Sequence, residues 1–223
     1  MTYRHELKHI ISRSDMITLR QRLRTVAKTD VHVINSSYDI RSLYFDDPLD
    51  AALREKLDGV NRREKFRLRS YNHDFSLIHL EKKSKINGLG TKESASLTAG
   101  QVQALLDGDC EWMRQSGDPL IRELLFKMTA KGLRPKTIVD YTREPYIFPA
   151  GNVRVTIDYN IRTGLSGTDF LNPDCITIPA RDAPVLLEVK WDAFLPDIIR
   201  HAVQLQGRGS CAFSKYAICR MYG

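Results

Sequence analysis

Four stretches of this chain alternate, residue by residue, between charged and apolar side chains. In 62–71, Lys65, Arg67 and Arg69 have one parity and Phe66 and Leu68 the other; in 75–85, Glu81, Lys83 and Lys85 stand against Ile78 and Leu80. In 152–160, Arg154, Thr156 and Asp158 oppose Val153, Val155 and Ile157, and in 184–191 Glu188 and Lys190 oppose Val185, Leu187 and Val189. A fifth stretch, 2–11, adds Arg4, Glu6 and Lys8. Successive side chains of a strand point to opposite faces, so this parity gathers the charges on one face of each strand. The set is rich in arginine, whose planar fork of donors fits two phosphate oxygens at once. Glu6, Glu81, Asp158 and Glu188 interrupt the basic residues and offer the hard oxygen ligands that Mg²⁺ or Mn²⁺ prefers. A divalent cation beside a row of guanidinium and ammonium groups suits phosphoryl transfer, where the protein mostly positions and neutralises the moving group.

A charged strand face is ordinarily solvated, with the apolar face on a core, and each strand taken alone fits that pattern. Eight such strands with helices over their apolar side can instead close on themselves and turn the charged face into a lumen. The expected fold is therefore α+β: a closed eight-stranded antiparallel β-barrel forming a tunnel, with helices packed on its outside. A lumen holding Lys8, Arg67, Arg69, Lys83, Arg154 and Lys190 repels itself when empty, so it implies an anionic ligand.

The elements that must position these residues follow from pattern and punctuation. Short alternating runs bounded by turn residues predict strands at 2–11, 38–46, 62–71, 75–85, 91–97, 135–145, 152–160 and 184–191. Connections as short as Asn72-His73-Asp74 and Asn87-Gly88-Leu89-Gly90 require antiparallel neighbours. Helical spacing of Met16, Leu19 and Leu23 predicts a helix at 14–25, and another at 48–57 is stopped by Gly59. Thr98 with Gln101 forms a capping box for 101–106, and Pro119 opens a helix that closes at Gly132. Two more helices are predicted at 196–206 and 210–221, and 164–184 reads as a loop.

Composition narrows the classes. With 223 residues, 42% hydrophobic and 27% charged, the chain is expected to form one globular domain, 1–223. The scattered Cys110, Cys175, Cys211 and Cys219 include no C-x-x-C pair and indicate neither a zinc site nor a disulfide framework. No run approaches the ~18 apolar residues of a membrane span, and the N-terminus has no secretory core, so a cytoplasmic protein without a membrane segment is expected. A net charge of +7 points to an anionic partner. The dense run 61–69 invites a nucleic-acid reading, but Phe66 and Tyr71 alone are too sparse as stacking platforms, so no nucleic-acid partner is expected. There is no G-x-x-x-x-G-K phosphate loop, Trp112 and Trp191 read as packing residues, and His5 and His9 share a strand face with Leu7.

Over nearly its whole length the chain resembles the polyphosphate polymerase domain of the vacuolar transporter chaperone (VTC) family, within the triphosphate tunnel metalloenzymes. The resemblance rests on the order and spacing of Arg4-His5-Glu6-Leu7-Lys8, Arg41-Ser42-Leu43-Tyr44-Phe45-Asp46, Lys65-Phe66-Arg67-Leu68-Arg69 and Glu81-Lys82-Lys83. It continues through Val153-Arg154-Val155-Thr156-Ile157-Asp158, Leu187-Glu188-Val189-Lys190 and Phe213-Ser214-Lys215-Tyr216. It implies an eight-stranded tunnel, ATP as donor, polyphosphate as the growing product, and Mn²⁺ or Mg²⁺ as the metal. By the same resemblance Lys8, Arg67, Arg69, Lys83, Lys92, Arg143 and Arg154 look like the phosphate-cradling set and Glu188 like the main metal ligand, with Glu6 and Asp158 as further candidates. Lys190 lines the same face, and Ser214 with Lys215 looks like a phosphate contact. One departure matters: hydrolases of this superfamily begin with a Glu-x-Glu-x-Lys strand, and here Arg4 holds the first position. A cation in place of that carboxylate ranks transfer above hydrolysis; a tripolyphosphate or nucleoside-triphosphate hydrolase and a non-catalytic polyanion-binding module are the alternatives.

Overall fold

A computed structural model describes residues 4–30, 33, 36–87 and 89–221. Thr2, Tyr3 and Gly88, which fall in the first predicted strand and in the 87–90 turn, lie outside the described residues. The element order is β1 (His5–Ile11), α1 (Arg13–Val26), β2 (Lys28–Thr29), β3 (Tyr38–Asp46), α2 (Ala51–Leu57), β4 (Arg63–Tyr71), β5 (Asp74–Ile86) and β6 (Leu89–Leu97). It continues with α3 (Ala99–Leu106), α4 (Glu111–Arg114), α5 (Pro119–Lys131), β7 (Arg134–Phe148), β8 (Val153–Thr163), β9 (Ile178–Pro179), β10 (Val185–Trp191), α6 (Asp197–Val203) and α7 (Lys215–Met221). All eight predicted strands are present. Among the described residues no helix is long and apolar enough to cross a membrane.

Hydrogen-bonded neighbours run β1-β10-β8-β7-β3-β4-β5-β6, with the short β2 on β7 and β9 on β8. The pairs β1–β10, β10–β8, β3–β4, β4–β5 and β5–β6 are antiparallel. The expected closure is not made. β1 and β6 end the path, and among the described residues no strand pairing joins them. The outer edge of β1 is met instead by a non-helical stretch: the Cys211 N–H donates to the Lys8 carbonyl at 2.8 Å, and His9 Nδ1 lies 3.1 Å from the Gly209 carbonyl. An edge strand covered by a loop is protected without pairing to another strand. The last helix starts at Lys215 and not at 210, and the stretch before it lies along β1 through Gly209 and Cys211.

The chain divides into two compact units. The first comprises Met1–Asp39, Tyr141–Ile161 and Asp182–Phe213. In it Ser12 caps α1 by a capping box with Asp15, and Leu19 and Leu23 are fully buried against Val155, Ile157, Leu187 and Val189 of the strands and Ile199 of α6. Gly151, at φ 71°, turns β7 into β8; a Cβ there would strike the Phe194 carbonyl. Arg4 fastens this turn, pairing with Asp192 at 2.8 Å and donating to the Asn152 carbonyl.

The second unit comprises Ile40–Asp140, Arg162–Arg181 and Ser214–Gly223. Its core is the apolar parity of the β4–β5–β6 meander, Phe66, Leu68, Ile78, Leu80, Ala95 and Leu97, under Val102 and Leu105 of α3, Met113 of α4 and Leu120, Ile121 and Leu124 of α5. The predicted caps are in place: Thr98 with Gln101 on α3, and on α5 Asp118 before Pro119, with Gly132 at φ 69° after the last turn. The parity read from the sequence is thus expressed in both units, with the apolar side chains under helices and the charged ones on the opposite face.

Burial decides what each leucine of the meander contributes. Leu68, at 0% exposure, should cost about 2–5 kcal/mol when replaced by alanine. Leu77, on the next strand but 51% exposed, should change stability by no more than about 0.5 kcal/mol in Leu77→Ala. Equilibrium denaturation of both variants checks the contrast.

Candidate functional site

In the second unit, β3, β4, β5 and β6 place their polar side chains in cross-strand rows. One row runs Tyr44, Arg67, Glu81, Ser94; the next, Ser42, Arg69, His79, Ser96; on the other side of the first lies Lys65, Lys83, Lys92. Like charges directly opposite one another destabilise a sheet, and here three lysines stand in line across three strands. Glu81, 2% exposed, is the carboxylate of the set. It accepts from Arg67 Nε at 2.7 Å, and Arg69 Nη1 lies 3.8 Å from Oε2 and Lys92 Nζ 2.5 Å from Oε1. Burial alone would push the Glu81 carboxyl up, but Arg67, Arg69 and Lys92 hold it well below the usual carboxylate range. Arg67 is fixed at its far end too, donating from Nη1 to Tyr44 Oη at 2.8 Å, while Arg69 Nε donates to Ser42 Oγ at 3.3 Å. Arg67, Arg69, Lys83 and Lys92 are therefore brought to one face, as the sequence predicts.

In the first unit the register pairs Lys8 with Glu188 and Glu6 with Lys190 across β1 and β10. The four form a closed ring of charge. Lys8 Nζ lies 3.4 Å from Glu6 Oε2 and 3.7 Å from Glu188 Oε2; Lys190 Nζ lies 3.4 Å from Glu6 Oε1 and 2.5 Å from Glu188 Oε1. Burial would lower the Lys8 ammonium, yet Glu188 and Glu6 keep it above its ordinary value. β8 continues the face with Arg154 opposite Lys190 and Thr156 opposite Glu188. Arg154 Nη2 donates to Tyr38 Oη at 2.8 Å and to Asp30 Oδ2 at 3.3 Å. Its Nε and the Thr156 hydroxyl are buried with no hydrogen-bond partner among the described residues.

Arg143 and Asp158 make a two-pronged pair, Nε–Oδ1 and Nη2–Oδ2 both at 2.7 Å, with Asp158 fully buried. Burial works against the Arg143 charge, but Asp158 raises its pKa well above the ordinary guanidinium value. Ser214 and Lys215 open α7 in the second unit, where the Ser214 hydroxyl accepts from the Ala217 N–H at 3.3 Å.

The carboxylates differ in their fitness for a divalent cation. Among the described residues no group of three or more His, Cys, Asp or Glu is arranged to hold a metal ion. Glu6 and Glu188, however, turn four hard oxygens toward two ammonium groups, so this pair already gathers about a cation, and Mg²⁺-type sites commonly use one or two carboxylates with substrate phosphates completing the shell. Asp158 fits less well, because both its oxygens are taken by Arg143.

Sequence reasoning did not assign Tyr44, Ser42, Tyr38 or Asp30, which set the arginines in place. β3 reads Tyr-Asp-Ile-Arg-Ser-Leu-Tyr-Phe-Asp, and all but Asp39 of it is buried, so its two parities show no contrast. The one available signal is register: Tyr44 and Ser42 become readable once β3 is paired with Arg67 and Arg69 of β4.

Solved structures of distant sequence align with the chain, and the first of them shows a shared fold. PH1012 protein from Pyrococcus horikoshii OT3 aligns over 98% of this chain and 99% of its own, at 11% identity and a TM-score of 0.52. PH1819 protein from the same organism aligns over 90% and 84%, at 14% identity and a TM-score of 0.45. No curated protein matches the chain. The model of the VTC domain family matches residues 3–222, the full span of the motifs that line both charged faces. This chain belongs to the VTC domain family.

Proposed function

We propose that this chain is an ATP-dependent polyphosphate polymerase that moves the γ-phosphoryl group of ATP to the end of a growing polyphosphate chain, with Mn²⁺ or Mg²⁺. The observation that carries the reading is the lysine row. Lys65, Lys83 and Lys92 stand directly opposite one another beside Arg67 and Arg69, and the one carboxylate among them, Glu81, is buried beneath the arginines. Like charges in line across a sheet are costly, and a polyanion laid along the row would add to whatever neutralises it within the protein. The family assignment supports the same class of ligand.

The roles follow from what each side chain touches. Arg67 and Arg69, fixed from behind by Glu81, Tyr44 and Ser42, present donors to phosphate oxygens at little further cost in side-chain freedom. Within the second unit Lys83 and Lys92 would neutralise phosphate charge beside them, and Lys8, Lys190 and Arg154 would do so on the face of the first unit, where Arg143 and Asp158 form a fixed pair of no net charge. Glu188 and Glu6 would hold the cation, which would supply Lewis-acid charge neutralisation there. In the transfer, an ionised oxygen of the terminal polyphosphate attacks Pγ, the Pγ–O bond to the β-phosphate breaks, and ADP leaves with that bond's electron pair. The nucleophile is already an anion, so the protein's share is positioning and charge neutralisation. Arg4 supports transfer over hydrolysis: the position that carries a metal-binding carboxylate in the related hydrolases here holds a cation engaged with Asp192 and the Asn152 carbonyl.

Incubation of the protein with ATP and Mn²⁺, following long-chain polyphosphate, ADP and free phosphate, tests the reading. Polymer with ADP is expected. Free phosphate without polymer would replace it by hydrolysis, and binding without turnover by a polyanion-binding module.

Two substitutions should separate the cation from the anion machinery. Glu188→Gln keeps the shape and removes a charge, so turnover at limiting Mn²⁺ should collapse while tripolyphosphate affinity, measured by calorimetry without metal, is kept or rises. Normal turnover of that variant would remove Glu188 from the metal site. Arg67→Ala should weaken tripolyphosphate binding itself by about 1.5–3 kcal/mol, roughly 10- to 150-fold, and slow turnover with it.

A further inference from the structure

Tyr44 is a buried phenol held among cations, and its place behind Arg67 does not by itself account for the charge gathered around it. Its ring, 4% exposed, is stacked on Tyr216 of α7 with centroids 4.9 Å apart. Three cationic side chains of β4 face it: Arg67 donates to its oxygen at 2.8 Å, the Arg67 guanidinium and the Lys65 ammonium lie 5.7 and 5.8 Å from its ring centroid, and Arg69 is the next in line on that strand face. Two carboxylates near it, Glu81 and Asp46, have other partners. Glu81 of β5 lies on the other side of Arg67 and is shared with Arg69 and Lys92, and Asp46 of β3 accepts from Tyr216 Oη at 2.5 Å and caps α2 through Ala52 and Leu53. A phenol that accepts from a guanidinium and faces two more cations is placed to carry negative charge itself.

We propose that Tyr44 is a proton-carrying residue of the anion-binding face: it balances the cations as a phenolate when no ligand is bound and takes up a proton when a phosphate chain assumes that task. This rests on the reading that Arg67 holds phosphate. The physical basis is competition for one field. Burial alone would raise the Tyr44 phenol, but Arg67, Lys65 and Arg69, with the hydrogen bond from Arg67, bring it down to about 7. Phosphate oxygens on Arg67 and Lys65 cancel that field, and the buried phenol then returns toward its ordinary value near 10. Arg67 keeps a partner in both states, a phenolate in one and a phosphate in the other, so its guanidinium is never left to search for its geometry. Tyr44 is thus a positioning residue whose charge is set by occupancy.

The sign follows directly. Below about pH 6 the phenol is protonated with or without ligand, and binding moves no proton at Tyr44. Between about pH 7 and 10 the ligand-free form has lost more of the proton than the bound form, so binding takes up a proton, most nearly a whole one midway through that range, and affinity from this source falls as pH rises. A hydrogen-bonding or packing role for Tyr44 would give neither effect.

Metal-free tripolyphosphate is the probe, titrated calorimetrically at about pH 8 in buffers of different ionisation enthalpy into wild type and into Tyr44→Phe, which keeps the ring stacked on Tyr216. The ligand's own protonation is common to both proteins, so the difference isolates Tyr44. Wild type should take up about one proton more than the variant, and the near-ultraviolet phenolate absorbance of the free wild type should fall on saturation. Binding with equal proton uptake by the two proteins, the variant's melting transition being intact, overturns the role given to Tyr44 and leaves the phosphate site standing. No tripolyphosphate binding by wild type overturns the phosphate reading and this proposal with it.

Discussion

The charged face of the second unit depends on one buried carboxylate. Glu81 is placed under Arg67 and Arg69, with Lys92 on its other oxygen, and this lets a sheet carry cations in adjacent rows. Burying a charge costs several kcal/mol unless partners repay it, and here the repayment runs both ways: the arginines keep Glu81 ionised, and Glu81 holds their planes steady. Removing that carboxylate would leave the arginines repelling one another and take away one of the groups that hold their planes. The first unit uses a different device, a ring in which Lys8 and Lys190 each bridge Glu6 and Glu188, so charge is balanced pairwise on the two strands that present it.

The two arrangements suit different tasks. Around Glu81 cations outnumber carboxylates, so an anion can add to the cluster without displacing a carboxylate. In the ring the carboxylates are already surrounded by positive charge, so a metal ion must compete with ammonium groups for the same oxygens. Phosphate oxygens entering beside Lys8 and Lys190 would offer those groups new partners, and on the proposed function cation and anion binding would then support each other.

Much of this was legible in the sequence, for a simple reason. Where one face of a strand is charged and the other apolar, as in 62–71, 152–160 and 184–191, parity alone sorts Arg67 from Leu68, Arg154 from Val155 and Glu188 from Val189. Helix caps were equally plain at Thr98 and Gly132, because each satisfies a local backbone need. Legibility ended where contrast ended. β3 is buried on both faces, so Tyr44 and Ser42 gave no sign of which way they point. Closure of the sheet depends on whether β1 and β6 meet, a long-range matter that no local pattern encodes; β1 took residues near Cys211 as its neighbour instead. The four-residue α4 is too short for any periodicity to reveal.

Lys82, the neighbour of Glu81, points to the opposite side of β5. There it lies over the Phe66 ring and pairs with Glu123 of α5 at 2.6 Å, with Glu93 at 3.4 Å and with Glu64 at 3.9 Å. The two faces of this strand therefore carry charge patterns of opposite sign at consecutive positions. A slip of one residue during folding would press Lys82 against Arg67 and Arg69 and turn Glu81 toward three glutamates, reversing every ion pair at once. Hydrophobic parity penalises such a slip on one face; here electrostatics penalises it on both. The residues that prepare the face for a polyanion thereby also act as a proofreading key for strand alignment, and substitutions among them are expected to raise the population of misregistered chains as well as weaken the site.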